Sequence, residues 1–200
     1  MSKKAKDILL ILCIVCILAY LSVTALTDLT NSKELQTVKL DGAVEILELN
    51  HTINGLIPIG TDHYYLGFTE ETQEAYVIRA PKKWLSKNFD SNGGAIESEG
   101  VELTSLAKKV TDYDLEKELS YRIAAIDGIS YPLGTNYYLD GMYKKNAIYK
   151  LTIVGLIAIL SLLGIYIFHN LDRINRNLLR VYAVAVFVTL LLCIKIFAII

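Results

Sequence analysis

Apolar residues are massed at the two ends of this chain, and along its middle they alternate with polar ones. Residues 8–26 form a run of 19 without a charged side chain. That is close to the ~20 an α-helix needs to span the ~30 Å hydrocarbon core of a bilayer. A second run covers 151–168, preceded by Tyr149 and Lys150, and a third covers 178–200. Hydrocarbon offers backbone amides no partner, so stretches this long and apolar are satisfied as helices. The pattern predicts transmembrane α-helices over 8–26, 147–168 and 178–200, with a short leader at 1–7 and a connector at 169–177.

The stretch 27–146 reads differently. Val38-Lys39-Leu40 and residues 43–49 look like strands separated by the turn formers Asp41-Gly42. In the second of these, Val44, Ile46 and either Leu47 or Leu49 alternate with Glu45 and Glu48, which predicts one buried face and a bulge near Leu47. Asn54-Gly55 and Ile57-Pro58-Ile59-Gly60 mark a turn-rich connection. Residues 63–69 and 74–80 are rich in aromatic and β-branched side chains and are joined by four polar residues, which predicts a β-hairpin. Pro81 ends it. Residues 82–89 form a short helix candidate with Trp84, Leu85 and Phe89 as its apolar contacts, Ser91-Asn92-Gly93-Gly94 is a loop by composition, and 101–110 contains a further strand.

Thr111 then stands as a cap for a helix on which Leu115, Leu119, Ile123 and Ile126 recur at helical spacing, with Asp114 three residues after the cap. Asp127-Gly128 closes it, and an aromatic, Gly-rich segment from 129 to 143 leads back to the apolar runs. The expected fold class is a membrane protein with three transmembrane α-helices and an extracytoplasmic α+β domain over 27–146. That domain is built on an antiparallel sheet that can close as a small open β-barrel. The order strand, strand, strand, short helix, strand is compatible with an OB-like topology.

Charge sets the expected orientation. Lys3, Lys4 and Lys6 precede the first run and Asp28 follows it, and the connector carries Arg173 and Arg176 with Arg180 just beyond. Short basic segments stay on the cytoplasmic side. The N-terminus and the connector are therefore expected in the cytoplasm, with the middle domain and the C-terminus outside; Lys144 and Lys145 weaken this bias without reversing it. Val23-Thr24-Ala25 also resembles a small-residue cleavage site, so a removed signal peptide is the rival to a retained anchor.

Net charge is −1, but residues 27–146 carry 19 acidic against 12 basic side chains. An acidic folded domain argues against nucleic-acid binding, which calls for a basic face. Cys13, Cys16 and Cys193 all lie in the apolar runs, so the middle domain has neither disulfides nor thiolate metal sites. The Cys13-x-x-Cys16 spacing is set in an apolar helix where a reactive thiolate is disfavoured.

Motifs for chemistry are missing. Asp62 stands beside His63, and His51 lies twelve residues before it, yet no H-E-x-x-H or comparable zinc spacing occurs. Asp112-x-Asp114-x-Glu116 lacks the glycine and distal glutamate of a calcium loop. Asn50-His51-Thr52 fits a glycosylation acceptor, a triplet common by chance. No nucleophile elbow or phosphate-binding glycine loop occurs, and no cofactor is expected.

Nine of the chain's 13 tyrosines fall in the middle domain. Tyr137, Tyr138 and Tyr143 lie shortly before the second apolar run, where amphipathic rings suit either a headgroup layer or a recognition surface. Lys150 and Lys195 both fall near the outer ends of their helices. Snorkelling to the headgroups is the simple account; a paired cationic contact for a lipid headgroup or a partner carboxylate is the functional one. The expected partners are the lipid bilayer and another membrane or envelope protein, with no nucleic acid. Three readings of function follow: a non-enzymatic partner-binding or scaffold protein, an oligomeric transport or channel accessory subunit, and a membrane enzyme acting on lipid or cell-wall material through Asp62 and His63.

Overall fold

The computed structural model describes residues 3–31, 34–53, 56–70, 72, 74–97, 99–126, 137–170 and 175–196; for 3–14, 53, 57, 168, 169, 195 and 196 it describes the backbone alone. The chain divides into two units, one of Asn31–Lys144 and one of Met1–Thr30 with Lys145–Ile200.

The first unit carries six strands: β1 (Leu35–Leu40), β2 (Gly42–Ile53), β3 (Ile57–Thr69), β4 (Glu74–Ala80), β5 (Val101–Lys109) and β6 (Tyr137–Asp140). They form one sheet in the order β1-β5-β6-β4-β3-β2. β3 and β4 make the expected hairpin. β4 and β6, however, are parallel, so the antiparallel sheet expected from sequence is corrected to a mixed one. The chain between them, with α2 (Lys82–Asn88), β5 and α3 (Tyr113–Ala124), is long enough for the crossover that parallel neighbours require.

Asp41-Gly42 is not a hairpin turn. β1 and β2 meet through Asp41 alone, yet they lie at opposite edges of the sheet. A sheet whose two edge strands are joined by one residue has to curl until those edges meet. At this corner Asp41 donates its N–H to Phe68 O at 2.9 Å and accepts from Ala95 N at 2.8 Å. Gly42 must lack a side chain here, because a Cβ would stand 2.1 Å from the Phe68 ring. With β1 and β2 counted as one bent strand, five strands remain with the third and fifth parallel, an OB-like arrangement.

The two faces of the curled sheet carry separate cores. The inner one takes Leu40, Ala43, Tyr65, Ile78, Leu103 and Leu139, one from each strand, and is closed by Trp84, Leu85 and Phe89 at α2. The outer one gathers Ile46, Leu47, Tyr64, Leu66 and Val77 under Leu119 and Ile123 of α3. Strands with both faces covered lose simple alternation, which explains the near-continuous burial from Asp62 to Gly67. The expected bulge is present: the β2–β3 register shifts between Glu45 and Leu47, leaving Ile46 unmatched. Ile46 and Leu47 therefore both reach the outer core. Val44, expected on the buried face, is instead 43% exposed.

The cap of α3 is Asp112 in place of the expected Thr111. Its carboxylate accepts from Asp114 N at 2.9 Å and Leu115 N at 3.4 Å, and its negative charge suits the positive end of the helix. Asp112→Ala is expected to cost about 1 kcal/mol, read as faster hydrogen exchange in the first turn of α3 with exchange in β3 unchanged.

The second unit holds α1 (Lys3–Thr30), α4 (Tyr143–His169) from Lys145 onward, and α5 (Arg176–Ile196). Over Tyr143–Ile167 and Arg176–Ile194, α4 and α5 are long and apolar enough to cross a membrane, and little of either stretch is buried. Ile159, Leu162, Val181 and Phe187 are all more than half exposed, which suits lipid as their surroundings. Leu21 of α1 and Ile153 of α4 centre a small core with Tyr149, Ile157 and Leu192. Tyr149 donates its hydroxyl to Leu192 O at 2.8 Å, and Tyr182 lies over Gly164, where a Cβ would meet its hydroxyl at 2.5 Å. Such polar ties and small-residue contacts hold helices together where the hydrophobic effect does not act.

Candidate functional site

Across five adjacent strands the outer face of the sheet carries a row of ionisable side chains in which the carboxylates of Asp62 and Asp140 alternate with nitrogen-bearing groups. His51 on β2 faces Asp62 on β3, Asp62 faces Arg79 on β4, Arg79 faces Asp140 on β6, and Asp140 faces Lys108 on β5. His51 Nε2 lies 2.9 Å from Asp62 Oδ2. Arg79 Nη2 lies 2.8 Å from both carboxylate oxygens of Asp62. The Arg79 Nη1 to Asp140 Oδ2 distance is longer, at 3.8 Å, and Lys108 Nζ closes the row 3.0 Å from the same oxygen.

Strand register explains the row: Arg79 is the direct neighbour of Asp140, Lys108 lies opposite Tyr138, and His51 lies diagonally from Asp62. Arg79 is 5% exposed and Asp140 fully buried. Burial opposes the guanidinium charge, but Asp62 and then Asp140 outweigh it and hold Arg79 firmly protonated. Tyr64 and Tyr138 meet edge-on beside the row with ring centroids 5.9 Å apart. Burial pushes both phenols up, and for Tyr138 the Asp140 carboxylate adds to it.

Next to this row the sheet opens. β4 and β6 pair only through Ile78 with Leu139 and Arg79 with Asp140, so the strands part on the approach to Glu74 and Tyr137. A groove of about 410 Å³ lies there, lined among others by Tyr76, Tyr137 and Tyr138 with Val77, Leu139, Gln36 and Glu74. Tyr137 is 56% exposed. The Tyr76 hydroxyl donates to Glu74, and burial together with that hydrogen bond pushes its pKa up to about 12.

The residues singled out from sequence are thus dispersed. Tyr137 and Tyr138 share the groove. Tyr143 is buried, with Lys144 Nζ 5.7 Å from its ring centroid. Lys150 is 6% exposed and its Nζ lies 3.9 Å from Asp28 Oδ2 of α1. Lys195 falls within α5, but its side chain lies outside the described residues. Asp62 and His63 do not act together, because neighbours in a strand point to opposite faces: Asp62 joins the charge row, and His63 meets Glu45 at 2.7 Å and Glu48 at 3.9 Å. Arg79, Asp140 and Lys108 carried no sequence signal, since their adjacency arises only from register.

Among the described residues one set could hold a metal ion: Glu45, Glu48 and His63, whose ligand atoms lie within 4.8 Å of one another. No family model matches the chain, and neither a curated protein nor a solved structure does. What the fold defines is an OB-like α+β module joined to apolar helices.

Proposed function

We propose that this chain is an integral membrane protein of three spans, its N-terminus cytoplasmic and its C-terminus outside, which presents the α+β module on the outer side to bind a protein partner of the membrane or envelope. The observation that carries the binding reading is the tyrosine-lined groove between β4 and β6. Tyrosine supplies large apolar contact at low entropic cost and keeps a polar tip for hydrogen bonding, the chemistry of recognition surfaces. The Asp62–His63 separation onto opposite faces removes the acid–base pair that an enzymatic reading would use. Lysines at the N-terminus and arginines around 173–180 support the orientation.

A photo-crosslinking residue placed at Tyr137 in intact membranes is expected to trap one reproducible protein. The same residue at Tyr113, which is 75% exposed on α3, is expected not to. Tyr76→Ala should reduce the Tyr137 product at least tenfold. Equal trapping from both positions would sink the reading.

A second reading, a subunit of a transport assembly, draws on the Asp28–Lys150 contact, a charged pair between two of the apolar helices. It is tested by native mass spectrometry in mild detergent, where a monomer alone would count against it.

A further inference from the structure

The bulge in β2 does more than bend a strand. In unbroken alternation, residues three apart face opposite sides of a sheet. Because Ile46 is unmatched, Glu45 lies opposite Tyr65 and Glu48 opposite His63, so both glutamates stand on the face that carries His63. Bulges are concentrated next to sites because they re-aim side chains in this way.

His63 is 6% exposed and fixed in the middle of β3, whereas the two carboxylates are about two-fifths open to solvent, at 36% and 44% for their side chains. His63 Nδ1 lies 2.7 Å from Glu45 Oε1 and 3.9 Å from Glu48 Oε2. Bonds of ~2.0–2.2 Å in a tetrahedral zinc site set its ligand atoms roughly 3.4 Å apart. The first separation has to open by about 0.7 Å and the second to close by about 0.5 Å, small movements for glutamate side chains. Lys82 also stands nearby, with its Nζ 3.7 Å from Glu48 Oε2; its side chain is 71% exposed and free to leave.

We infer that Glu45, Glu48 and His63 form a binding site for a divalent transition metal of the zinc class. One imidazole and two carboxylates suit such an ion better than calcium or magnesium, which take oxygen ligands throughout. Three protein ligands on a partly open face leave a coordination position for water or for a group brought by a partner. The site stands apart from the groove and does not depend on it.

The test uses the untagged full chain in detergent, treated with chelator and exchanged into metal-free buffer at neutral pH. Titration with zinc chloride by calorimetry is expected to give one ion per chain. Cobalt(II) should give the visible absorption of a low-coordinate site. Glu45→Gln with Glu48→Gln, both at solvent-open positions and expected to leave far-UV circular dichroism unchanged, is expected to weaken zinc binding at least tenfold, and His63→Gln to do the same. Lys82→Gln should tighten it a few-fold. The chain's other histidines, His51 and His169, provide the control: loss of binding in His51→Gln but not in the glutamate pair would place the ion at the charge row and overturn the assignment. Absence of stoichiometric binding at millimolar zinc would overturn it as well.

Discussion

Arg79→Leu is expected to destabilise the α+β module by about 3–5 kcal/mol, because it strands two carboxylates out of water without their counter-charge. Arg79 is the middle member of the row and touches both Asp62 and Asp140. Asp140 is fully buried and Asp62 nearly so, so neither can recover its solvation when the guanidinium is gone. Lys108 still reaches Asp140 and His51 still reaches Asp62, which keeps the loss from being larger. Trp84 is the chain's single tryptophan and sits inside the module, with its ring centroid 5.2 Å from both Tyr65 and Phe89. Urea unfolding of the full chain followed by its fluorescence therefore reports on the module alone. Combining Arg79→Leu with Asp62→Asn and Asp140→Asn should restore more than half of the loss, because the uncompensated charges go with it. A cost below 1 kcal/mol for the single variant would show the row to be dispensable.

The module is expected to unfold cooperatively between about pH 10 and 12. Burial, reinforced by Glu45 and Glu48, pushes the Tyr65 phenol up to about 12, from an ordinary value near ~10. A phenol whose folded value is raised contributes its stability fully below the unfolded value and loses it as pH climbs to the folded one. For Tyr65 this is roughly 2–3 kcal/mol, at ~1.4 kcal/mol for each pH unit. Tyr76 moves in the same direction to about 12, and burial holds Tyr64 and Tyr138 up as well. Arg79 stays charged across this window, so it does not reverse the trend. Phenolate absorbance at alkaline pH should appear together with the change in Trp84 fluorescence. Tyr65→Phe keeps the ring and should flatten the pH slope by about one proton. Gradual ionisation with unchanged fluorescence would contradict the burial argument.

Much of the fold was legible because it rests on local signals. The β3–β4 hairpin, the bulge at Glu45–Leu47 and the apolar face of α3 follow from period and turn chemistry, which a single segment carries. β6 was missed. It has four residues, ends in Asp140 and occupies the centre of the sheet, so its pairing comes from neighbours far away in the chain. The same reason hid the parallel β4–β6 pair and the role of Asp41 as a corner. Of the site residues, Tyr137 and Tyr138 were visible as aromatic density. Glu45 and Glu48 were read as solvent-facing alternates, and only the register with β3 shows what they flank.

Leu106 of β5 has Leu35 on one side and Asp140 on the other. The residue that begins the sheet and the one that precedes α4 are therefore two strand spacings apart, ~10 Å. The two ends of the module's chain therefore emerge close together, the arrangement that tolerates circular permutation and domain insertion.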